Sequence, residues 1–202
     1  MRASPARATV ARPLLALLVA TGAAGCSDPT SSSRALPACA HGDEGAAANG
    51  VVLMAQSVRT ASWVPCLKAA IPLGWSFEYL DARNDRALFR LGSDRDGQVQ
   101  HIDVRLEGSC DTTGSTEIRS DREDMQRFER VTMTTPRFEG ERYYVFEGGC
   151  IILDFRLTAD NRGEPLALAT QVLGAVSRAD LRDQVHEESD GRLELDPPEG
   201  DG

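Results

Sequence analysis

The chain has 202 residues and a formal net charge of −9, from 22 basic and 31 acidic residues. An acidic balance of this size excludes the electrostatic footprint of a nucleic-acid binder and argues against a protein that lies flat on anionic lipid. Five cysteines and a 41% hydrophobic content suit one globular domain, cross-linked in an oxidising compartment.

The first element is a leader. Arg2, Arg7 and Arg12 precede an apolar run from Leu14 to Ala20, and the small residues Ala23, Ala24 and Gly25 stand immediately before Cys26. A charged start, a short apolar core and a small-residue exit predict a signal peptide over residues 1–25, whose Pro13 to Gly25 stretch is too short to span a bilayer. Ala23-Ala24-Gly25-Cys26 resembles the lipobox of bacterial prolipoproteins, with Ala23 where Leu usually stands. The resemblance implies lipidation of the Cys26 thiol, cleavage after Gly25 and a lipid anchor at the extracytoplasmic face of the cell membrane. Loss of the leader removes three arginines and no acid, which takes the formal charge from −9 to −12. Lys68 is the single lysine against 21 arginines, and with the abundant Ala and Gly it makes the chain similar to small actinobacterial lipoproteins. That similarity carries no activity with it.

Residues 26–38 have almost nothing to bury and read as a tether, which would hold the domain within about 20 Å of the membrane. The domain itself is expected over residues 39–186, followed by an acidic tail over 187–202 in which only Leu193 and Leu195 have apolar surface to pack. Val51, Val52, Ala55 and Val58 recur at helical spacing and predict a helix over 46–62, ended by Pro65. The stretch from Ala61 to Gly74, with Cys66, Pro65 and Pro72, reads as a pinned, turn-rich connection.

Strand signals follow. Trp75, Phe77 and Tyr79 alternate with polar residues, Asn84-Asp85 turns the chain into Ala87–Leu91, and Asp96-Gly97 turns it into Val99–Glu107. A polar stretch from Asp111 to Gln126 separates this meander from a second one: Phe128–Thr135, a turn at Glu139-Gly140, Arg142–Glu147, a turn at Gly148-Gly149, and Cys150–Thr158. Leu166, Ala169, Thr170, Leu173 and Val176 then mark a helix, and Ser177 with Asp180 caps another through Val185. These elements predict an α+β fold, with an antiparallel sheet of about six strands packed against N- and C-terminal helices. A β-sandwich is the alternative.

The two meanders share a pattern: Ile102-Asp103-Val104-Arg105-Leu106 and Leu153-Asp154-Phe155-Arg156-Leu157. In a strand each copy would bury three apolar residues and place its Asp and Arg together on the other face. If the two copies are antiparallel neighbours, Cys110 and Cys150 come within bonding reach, which favours Cys110 with Cys150 and Cys39 with Cys66.

No catalytic set declares itself. The chain lacks a nucleophile elbow, a phosphate loop and a His-Glu-x-x-His motif, and His41, His101 and His186 have no metal partner at helical spacing. His101, two residues from Asp103 on one strand face, is the histidine placed for acid–base work. Recognition surface is aromatic or charged: Trp63, Trp75, Phe77, Tyr79 and the pair Tyr143-Tyr144, of which one is expected to be exposed or at a groove, with Trp75 and Phe77 by default in the core, or the polar set Asp103, Arg105, Asp154 and Arg156, whose default reading is cross-strand ion pairs. The expectation is a non-enzymatic, lipid-anchored module, without cofactor or metal, that binds an envelope protein or a small ligand. A carrier of a hydrophobic ligand, which needs an apolar cavity, and a cell-envelope hydrolase, which needs a cleft, are the alternatives.

Overall fold

Period-two alternation along six segments builds most of the molecule. The computed structural model describes residues 31–33, 36–39, 50–68, 71–93, 99–158 and 163–198; Cys26, His41 and the Asp96-Gly97 turn lie outside these. In chain order the elements are β1 (Ser31–Ser33), α1 (Gly50–Ser57), β2 (Trp63–Leu67), β3 (Ser76–Arg83), β4 (Arg86–Ser93) and β5 (Gln100–Glu107). There follow β6 (Thr116–Ile118), β7 (Gln126–Met133), β8 (Arg137–Phe146), β9 (Gly149–Thr158), α2 (Gly163–Val172), β10 (Leu173–Ser177) and α3 (Arg178–Glu188).

Eight strands form one antiparallel sheet in the order β1-β3-β4-β5-β9-β8-β7-β6. Both expected meanders are present in it and meet through their last strands, β5 and β9. The register sets Asp103 opposite Asp154, Ile102 opposite Phe155 and Val104 opposite Leu153, so the two similar segments are related by a local two-fold through the aspartates. Cys39 is bonded to Cys66 and Cys110 to Cys150, with Cα separations of 4.9 and 6.0 Å.

One face of the sheet, the inner face, carries Leu80, Phe89, Leu91, Ile102, Val104, Leu106, Leu153 and Phe155, all buried. Val51, Met54 and Ala55 of α1, the strands β2 and β10, and Leu181 and Val185 of α3 close over it as one core. At Gly148, the second turn residue of the β8–β9 hairpin, φ is +74° and a Cβ would lie 1.9 Å from the Thr60 carbonyl oxygen. Only glycine meets both demands there, and the close approach seats the α1–β2 loop on the hairpin.

Several elements depart from expectation. The helical spacing through Val176 stops at Val172, because Leu173–Ser177 pairs as β10 with β2, and β2 itself occupies the supposed turn-rich connection. Gly174 makes this pairing fit: a Cβ there would stand 2.5 Å from Cys39 Sγ. Leu67 receives and gives backbone hydrogen bonds with Cys39 and Pro37, and Ser31–Ser33 lie against β3, so both pieces of the segment read as a tether are paired to strands. α1 ends at Ser57, short of the expected 62, while residues 46–49 of the expected helix lie outside the described residues. β8 runs straight through Glu139-Gly140, and the chain turns instead around a cis peptide at Thr135-Pro136. The polar stretch before β7 contributes the short strand β6. α3 continues to Glu188, and the tail folds back with Leu195 buried.

Arg178 ties these covering pieces together. It is 1% exposed, and its guanidinium donates to the carbonyls of Ala55, Val58 (2.7 Å), Ala61 (2.9 Å) and Asp196 (3.3 Å). Burial lowers its affinity for the proton, and the negative end of α1, whose last carbonyls lack helical partners, takes the place of a carboxylate. Replacement by Met leaves these carbonyls without their donor. We expect Arg178→Met to cost about 3 kcal/mol in urea unfolding, with Arg178→Lys recovering part of the loss.

Candidate functional site on the outer sheet face

The opposite, outer face of the sheet is polar because positions 101, 103, 105 on β5 and 154, 156 on β9 point away from the core. Registers across five strand pairs align Tyr79, Arg90, Asp103, Asp154, Glu141 and Arg130 in one row across the sheet. The two-fold through the aspartates sets Arg90 beside one of them and Glu141 beside the other, which makes the two halves electrostatically unlike.

On the first half, Arg90 grips Asp103 with both arms, Nε to Oδ1 at 2.6 Å and Nη2 to Oδ2 at 2.7 Å. The fork geometry fixes both side chains, and the guanidinium lies 5.4 Å from the Tyr79 ring centroid. On the second half, Glu141 is the acceptor for Arg130, for Arg105 at 3.2 Å and for the Tyr143 hydroxyl at 2.6 Å, while Arg130 also reaches that hydroxyl at 3.0 Å. Burial alone would raise the Glu141 carboxyl, but these donors and charges outweigh it and hold it below the usual range. Tyr143 is pushed up to about 12, by burial and by the bond to Glu141.

Asp154 is left between the two. It faces Asp103 directly, makes no hydrogen bond or close ion pair among the described residues, and its carboxyl is raised by burial, against the more distant pull of Arg105 and Arg156. Like charges placed directly opposite are destabilising. His101 sits on the same face, opposite Arg156 and held below its usual pKa by burial and then by Arg90.

The structure therefore gathers Asp103, Arg105, Asp154, Arg156 and His101 on one face, together with Arg90, Glu141 and Arg130. The last three had no sequence signal beyond period two; only the register aligns them. Tyr143 and Tyr144 do lie on opposite faces, yet both are buried: Tyr144 in the core, Tyr143 under the Cys110–Cys150 disulfide with Phe128 and Ile152. The expected exposure of one of them fails because the disulfide adds a small second apolar cluster on the outer side. Trp63, Trp75 and Phe77 pack against the main core. His186 lies in the last turn of α3, 3.9 Å from Glu194 and far along the chain from the other two histidines.

Among the described hollows, three lie beside α1, α2 and α3, while the charged row forms a polar platform on the outer face. Between sheet and cover, beside Val104, Tyr144, Ile151 and Leu173, one described void measures about 10 Å³. No protein-family model, characterised protein or solved structure matches the chain.

The Asp154 carboxyl is tested by pH. A carboxyl whose folded value is raised binds its proton more tightly when folded, so its cost is fully present above that raised value. The cost fades as pH falls through the ordinary value near 3.8. Asp154→Asn should raise the urea midpoint at pH 7, and the gain should vanish near pH 3; an equal gain at both pH values would refute the assignment.

Proposed function

We propose that the chain is a lipid-anchored lipoprotein of the extracytoplasmic membrane face, whose α+β domain serves as a non-enzymatic interaction module. The observation that carries this reading is cysteine arithmetic: Cys39, Cys66, Cys110 and Cys150 are consumed in two disulfides, which leaves Cys26, in its lipobox-like setting, as the one cysteine without a partner in the chain. Two disulfides accord with an exported protein. An odd cysteine placed after Ala-Ala-Gly accords with acylation.

The domain would meet its partner through the outer sheet face. There the bidentate Arg90–Asp103 pair and the Glu141 cluster are already ordered, so a partner does not have to immobilise them, while Asp154 offers an unanswered carboxylate to a cationic group. The described void between sheet and cover, about 10 Å³, is too small for an acyl chain, which speaks against carriage at that place.

Cell fractionation with intact-mass measurement tests the anchor. The wild-type protein is expected in the membrane fraction with acyl mass on a chain beginning at Cys26. Cys26→Ser is expected to move to the soluble fraction without that mass, and an unchanged membrane fraction would defeat the proposal.

A further inference from the structure

The inner face of the sheet is apolar over β3, β4, β5 and β9 but turns polar at β7 and β8, where Arg127, Glu129 and Arg142 replace the aliphatic row. Between these strands and α2 the cover stops short, leaving an open groove of about 610 Å³. Its floor is built. Arg142 is held from behind by Glu129, Nε at 2.8 Å and Nη2 at 2.7 Å, and from the side by Thr170 Oγ1 at 2.9 Å, which itself donates to the Leu166 carbonyl at 2.7 Å. A guanidinium has five N–H groups, so this clamp fixes the Arg142 plane and leaves donors over.

Two further cations border the groove and are less engaged. Among the described residues the side chain of Arg127 bonds to Asp121, at 3.4 Å, and its Nε is buried without an acceptor. Lys68, the only lysine of the chain, lines the same groove and has no carboxylate partner among the described residues. In a chain of net charge −9, a groove with three cations, one of them rigidly held and one missing an acceptor, is an exception to the prevailing sign. Leu166 and Ala167 supply an apolar strip beside the charges.

We propose that this groove binds a small organic anion bearing a carboxylate or phosphate. Arg142 is the fixed donor, Arg127 and Lys68 close on the anionic group, and the Leu166 side of α2 covers the ligand's carbon skeleton. The site lies on the other side of the sheet from the outer platform and does not depend on the lipid anchor.

The single lysine supplies a direct readout. Reductive ¹³C-methylation keeps the positive charge and gives one ε-dimethyl resonance, from Lys68. Titrating the purified full chain with inorganic phosphate and, separately, with succinate is expected to displace that resonance saturably in at least one arm, beyond the change caused by chloride at equal ionic strength. Arg127→Ala should weaken the response roughly tenfold, and Asp121→Asn should strengthen it. Displacement no larger than chloride gives in both arms, or saturation unaltered by Arg127→Ala, would overturn the proposal.

Discussion

The covering layer depends on one buried cation. Arg178, at the first position of α3, collects carbonyl oxygens from the end of α1 and the loop that follows it, residues 55–61, and from the folded-back tail at Asp196. None of these elements is long: α1 has eight residues and α3 eleven, lengths at which isolated helices are marginal in water. Their positions come from packing on the sheet and from this shared donor. Since the acceptors are backbone groups, the contact demands a fork with several N–H groups, which arginine has and lysine lacks.

The sheet solves a different problem. Two meanders joined through β5 and β9 give an inner face that is apolar over β3, β4, β5 and β9, and the local two-fold that joins them brings two aspartates face to face. Arg90 neutralises one, while the corresponding position on the other side holds Glu141 rather than a base. The strain of an unpaired, half-buried Asp154 is thus a consequence of a near-symmetric backbone carrying asymmetric side chains. Sites that break a local rule without visible compensation are where a binding role is sought. The polar edge of the inner face is a second such place, where the core pattern gives way to clamped and unclamped arginines.

Much of the architecture was legible from alternation and turn chemistry. The six long strands, the Asn84-Asp85 turn with Asp85 at φ 69° and the Ser177 cap of α3 follow from local physics, and both disulfide pairings followed once β5 and β9 were taken as neighbours. β2 and β10 were not legible: Leu173-Gly174-Ala175-Val176-Ser177 keeps helical spacing with α2, and Trp63–Leu67 contains a proline and a cysteine. Each becomes a strand because the other is its partner, a long-range pairing no local window contains. The continuation of β8 through Glu139-Gly140 is similar, since Gly140 lies where a side chain would strike the Phe155 ring and the Arg130 carbonyl.

The amino-acid chain carries period, polarity and cysteine count openly, because each is a property of neighbouring residues or of composition. It set which residues face inward, and it marked Asp103 and Asp154 as similar positions in similar strands. It takes the fold to set these two opposite one another, to give Asp103 the grip of Arg90 while Asp154 has no close partner among the described residues, and to bring Lys68, Arg127 and Arg142 to one groove. Register between strands far apart in the chain is set by the sum of all inner-face contacts, and a one-residue slip would exchange every partner in the row.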